Sequence, residues 1–128
     1  MLQPEGQLIN VHDIPVQHAI EVHSAGSVIK AGWLLDSADF DSERFAFNAL
    51  AQVVSENYFM LVDERDFIVN LQADDIQELQ EWLAGRWETA VIPENTVQRV
   101  DDILRQVGQS AHVVLKEPTR MTKLRAMR

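Results

Sequence analysis

Gly6-Gln7-Leu8-Ile9-Asn10-Val11 constrains the fold of this 128-residue chain more than any other stretch. Pro4 and Gly6 supply a tight turn, and a short apolar, β-branched run follows it. The run is apolar on nearly both faces, the pattern of an interior parallel strand rather than a one-sided antiparallel one. Such a strand needs neighbours on both edges and cover on both faces. The rest of the chain has enough elements to supply one side. The expectation is therefore a homodimer or partner chain pairing the strand at Gly6–Val11, or a smaller rearranged sheet.

After this strand, Asp13 and Pro15 read as the start of a helix running to about Ala31, with Gly32 as its stop. A second helix is predicted over Ser42 to Ser55, capped by Ser42, with Phe45, Ala49, Leu50, Val53 and Val54 at helical spacing. Tyr58 to Leu71 follows as one long or two short strands, broken by the charged run Asp63-Glu64-Arg65-Asp66. Asp75 with Glu78 makes a capping box for a third helix, whose face carries Ile76, Leu79, Trp82, Leu83 and Arg86. A fourth helix has Pro93 in its first turn, Val97, Val100, Ile103, Leu104 and Val107 on its stripe, and Gly108 as its end. Ala111 to Lys116 is a strand, and a second extended run follows Pro118 through Met121 to Leu124. Strands at the front, middle and end, separated by helices, predict an α/β layer in one domain spanning 1–128.

Composition narrows the class. Hydrophobic residues are 46% and charged residues 24%, which argues against wholesale disorder. There is no cysteine, so disulfides, thiolate zinc sites and a cysteine nucleophile are excluded, and a reducing, cytoplasmic setting is expected. No stretch has the apolar length of a membrane span. The net charge of −9 argues against nucleic acid as a partner. From Thr119 onward Arg120, Lys123, Arg125 and Arg128 stand without an acid, leaving −13 on residues 1–118. Four cations are few for a phosphate-binding arm, and they read more simply as complementing an acidic body.

Three stretches carry a family likeness. Leu2-x-Pro4-x-Gly6-x-Leu8-Ile9 is similar to the turn before the fifth strand of class I S-adenosylmethionine-dependent methyltransferases. Lys30-Ala31-Gly32-Trp33 looks like the end of the helix after that strand. Phe67–Leu71, Leu79-Gln80-Glu81-Trp82-Leu83, Arg86-Trp87, Val113-Val114-Leu115 and Leu124-Arg125 resemble the late strands and the helical insertion between them. The resemblance implies an α/β fold with a partial Rossmann-like methyltransferase sheet, corresponding to the carboxyl-terminal half only. Glu5 stands where the family usually has a glycine. The family's glycine-rich cofactor loop has no counterpart among Gly6, Gly26, Gly32, Gly85 and Gly108. S-adenosylmethionine is therefore expected only if an amino-terminal half completes the site, and no cofactor is expected for this chain alone.

His12 and Asp13, at the carboxyl end of the first strand, are the substrate-side candidates, with His12 as substrate contact or general base. The plainer alternative is that Asp13 caps a helix and His12 bonds locally. His18, Glu21 and His23 lack metal-ligand spacing on a helix and read as ordinary surface residues. Trp82 fits a core, while Trp33 and Trp87 fit either pocket lids or rim packing. Two functions follow: a methyltransferase-like fragment or split subunit that is inactive alone, or a stand-alone, non-catalytic dimerisation or protein-binding module.

Overall fold

The computed structural model describes residues 6–108 and 110–127. Its elements are β1 (Gln7–Asp13), β2 (His18–Ser24), β3 (Ser27–Asp36), α1 (Asp41–Ser55), β4 (Phe59–Ala73), α2 (Ile76–Arg86), β5 (Ala90–Val91), α3 (Glu94–Val107) and β6 (His112–Ala126). The strand order is β1-β6-β2-β3-β5, with β4 paired to β6. The registered pairings of β1 with β6, β2 with β3, β2 with β6 and β3 with β5 are all antiparallel. The chain divides into two compact units. One takes the described residues up to Pro15, Phe40–Ile68 and those from Pro118; the other takes Val16–Asp39 and Val69–Glu117.

The expected Rossmann-like parallel sheet is overturned by these pairings. The decisive segment is 13–31, where a helix was expected and an antiparallel hairpin forms. His18, Ile20 and Val22 alternate as fully buried positions, a period of two that a helix cannot satisfy. Ser24 pairs with Ser27 across Ala25-Gly26, and Gly26 takes a φ of 78° that glycine alone adopts without strain. Gly32 is not a helix stop: it lies within β3 opposite Ile20, so the likeness of Lys30–Trp33 to a helix end does not hold. Asp13 correspondingly ends a strand rather than capping a helix. The family-like turn at Leu2–Glu5 lies outside the described residues.

The second unit contains the main hydrophobic core. Ile20 and Val22 of β2, Leu34 of β3, Leu79 and Leu83 of α2, Val100 of α3, and Val113 and Leu115 of β6 are buried together there. α2 and α3 form where periodicity placed them. Asp75 caps α2 by accepting from the Glu78 amide at 2.8 Å, and Gly108 ends α3 with a φ of 90°. Trp82 is packed against this core.

In the first unit, β1 runs antiparallel to the last part of β6, from Gln7 opposite Arg125 to Asp13 opposite Thr119. β6 is one strand through Pro118, not two runs. Pro118 has no amide to donate, and it falls between Lys116, the last residue paired to β2, and Thr119, the first paired to β1. Its carbonyl accepts from the Ile14 amide at 2.9 Å. β4 is likewise one strand, and the charged run 63–66 lies inside it without breaking it. α1 begins at Asp41 after Phe40, whose φ is 58°, so Ser42 is not its cap. None of the residues of α1 is fully buried.

Candidate functional site

Alternation along a strand sets the site in the first unit. The register places His12 opposite Arg120, Asn10 opposite Thr122 and Leu8 opposite Leu124, so these six share one sheet face. α1 offers Phe47, Leu50 and Val54 at three- and four-residue spacing. With His12, Arg120 and Thr122, those α1 residues border a cavity of about 320 Å³ that Leu61 and Glu64 of β4 also line. Phe47, Leu50 and Val54 of α1 thus face this open space, and no residue of the helix is fully buried.

The polar groups at this cavity differ in how they are satisfied. The His12 ring meets the Phe47 ring edge-on, with centroids 4.7 Å apart and planes at 86°. Neither His12 ring nitrogen has a hydrogen-bond partner among the described residues, although both are buried. Burial lowers the pKa of His12, the Arg120 charge lowers it further, and Asp13 and Glu64 oppose the shift. His12 is therefore held towards its neutral form. The Thr122 hydroxyl is buried and also lacks a partner, on a residue only 1% exposed. Arg120, in contrast, is paired with carboxylates. It donates to Asp66 through Nε at 2.7 Å and Nη2 at 3.1 Å, lies 3.8 Å from Glu64, and stands 5.1 Å over the Phe47 ring.

This arrangement can hydrogen-bond an uncharged group inside an apolar chamber. Among the described residues no side chain hydrogen-bonds to the His12 ring, which is held by its edge-on contact with Phe47. Asp13 is not among the residues that border the cavity. The other sequence candidates fall elsewhere. In the second unit His18 is buried with its ring edge against Trp87 at 5.1 Å, so it is not a surface histidine. Glu21 and His23, two apart on β2, bond to each other at 2.8 Å, and Lys116 lies 3.7 Å from Glu21. Among the described residues no group of three or more His, Asp or Glu is placed to hold a metal ion. Trp33 is topped by the Lys30 ammonium at 3.4 Å, while Trp87 donates to Asp36 at 3.2 Å.

The outer edge of β1 is a second feature of the same unit. β1 ends the strand order, so one of its edges carries no strand among the described residues. From Gln7 to His12 there is no charged residue and no proline. Ile9 and Val11, on the sheet face opposite His12, are 60% and 56% exposed.

Thr122, Phe47 and Arg120 are the cavity residues that sequence spacing does not flag. Arg120 and Thr122 share one signal, the alternation Arg120, Thr122, Leu124, which becomes readable once β6 is taken as a single strand facing β1; Phe47 lies on α1 and has no such signal. No family model, no curated protein and no solved structure matches this chain. Among the described residues no helix is long and apolar enough to cross a membrane.

Proposed function

We propose that this chain is a non-catalytic association module that pairs with a second copy of itself through the free edge of β1. The observation that carries this reading is the unguarded edge itself. Natural sheets protect terminal strands with charges, prolines or bulges, and β1 has neither a charge nor a proline from Gln7 to His12. β4, the other strand paired to β6 in this unit, carries Asp63, Glu64, Arg65 and Asp66 in mid-strand and is guarded in that manner. An antiparallel two-fold centred on Asn10 sets Ile9 of one copy against Val11 of the other, joining two half-exposed apolar side chains without opposing like charges. Among the described residues the large buried cluster lies in the other unit, which adds to the case. The split-methyltransferase reading drew on parallel late strands, and antiparallel pairing of β1 removes that support.

Light scattering on a size-exclusion column tests the proposal. The wild-type chain is expected to elute as a dimer at micromolar concentration. Ile9→Lys and Val11→Lys are expected to elute as monomers with unchanged far-ultraviolet circular dichroism, since both positions face solvent in one copy. A monomeric wild type, or lysine variants that stay dimeric, overturns it.

A further inference from the structure

We infer that the cavity under α1 is a binding site for a small uncharged amphiphile, an aryl or short alkyl group carrying one hydroxyl. The inference stands apart from the pairing of β1, since His12 and Thr122 lie on the opposite sheet face from Ile9 and Val11.

Three observations define the ligand. The first is the wall: Phe47, Leu50, Val54 and Leu61 make most of it apolar. The second is the pair of unmet polar groups. Thr122 is almost completely buried with its hydroxyl unpartnered, and the buried His12 nitrogens beside it are unpartnered too. Buried donors and acceptors are satisfied in most folded proteins, and leaving them unmet is costly. A hydroxyl both donates and accepts, so one such group can accept a hydrogen bond from the Thr122 hydroxyl and donate one to the bare nitrogen of neutral His12. The third is charge. Arg120 is already matched by Asp66 and Glu64, so a ligand carboxylate would find no free cation and would approach Glu64. A volume of about 320 Å³ lies in the range of small-molecule sites, which fits a ligand of this size.

The test uses 4-propylphenol, propylbenzene and 4-propylbenzoate, titrated into the full chain and followed by amide and side-chain chemical shifts. 4-Propylphenol is expected to bind in the millimolar range or tighter, shifting resonances of His12, Phe47 and Thr122. Propylbenzene is expected to bind about tenfold more weakly and the benzoate more weakly still. Thr122→Val is expected to erase the preference for phenol over propylbenzene while keeping the dispersion of the spectrum. Leu50→Trp, which fills the chamber from a partly exposed position, is expected to abolish binding of all three. Equal affinity for the phenol and the hydrocarbon, shifts that map away from His12 and Thr122, or binding that survives Leu50→Trp would each overturn the assignment.

Discussion

Arg120 holds Asp66 by two parallel hydrogen bonds, Nε to Oδ1 at 2.7 Å and Nη2 to Oδ2 at 3.1 Å. That hydrogen-bonded grip is the main reason the Asp66 carboxyl titrates below its ordinary value. Because the folded pKa is depressed, the linked stability is present above the unfolded value and is lost as pH falls through the folded one. Arg120→Ala is expected to return the Asp66 pKa towards about 3.9, read from its carboxyl carbon shift. Arg120→Lys restores charge without the planar fork and is expected to recover only part of the depression. An unmoved Asp66 titration in Arg120→Ala would refute the relationship.

His12 also weakens the fold on acidification, but over a higher pH range than Asp66. Its folded pKa lies below the unfolded value of about 6.5, so below that pH the unfolded chain binds more protons and folding weakens. Comparing wild type with His12→Gln in urea at about pH 5 and about pH 8 isolates this residue, since the other histidines are common to both. The wild type is expected to lose more stability between the two pH values than the variant does.

Gly32 packs against Thr96 so closely that a methyl group on it would run into the Thr96 hydroxyl and lie 2.8 Å from its Cγ2. Gly32→Ala is expected to destabilise the chain by about 1–3 kcal/mol through overpacking. Thr96→Ala removes both of those atoms, so the double variant is expected to be less destabilised than the sum of the two singles. Thermal unfolding of all four proteins checks the cycle.

Asp75 caps α2 through its side chain, while Glu78 reaches back to the Asp74 amide at 3.3 Å rather than to that of Asp75. Asp75→Ala is expected to cost about 1 kcal/mol, measured by urea unfolding. Glu78→Ala is expected to cost less, because its bond is long and exposed.

Helix ends and stripes from residue 75 to 108 were legible because each depended on neighbours within one or two turns. Asp75, Leu79, Val100 and Gly108 announce themselves locally. The strand at the front was also legible as a strand, but not its partner: the same apolar run suits a parallel interior position and an unguarded antiparallel edge. Residues 13–31 misled because Asp13 and Pro15 mimic a helix start. The alternation of His18, Ile20 and Val22 was the stronger signal, since it reports which side chains are buried. At the site, His12 stood out by its place at a strand end. Thr122 and Phe47 did not, because they reach His12 through pairing across more than a hundred residues and through a helix with no fully buried position.

Among the described residues β6 is the last strand in sequence, yet it carries the pairing of β1 and β4 as well as of β2. During synthesis β1 emerges roughly a hundred residues ahead of β6, its registered partner. Local structure in α2 and α3 can form on the ribosome, but closure of the sheet is confined to the period after residues 112–126 have been made. Throughout that interval Gln7–Asp13 lacks its registered partner, so the rate of translation sets how long the nascent chain is open to wrong strand partners.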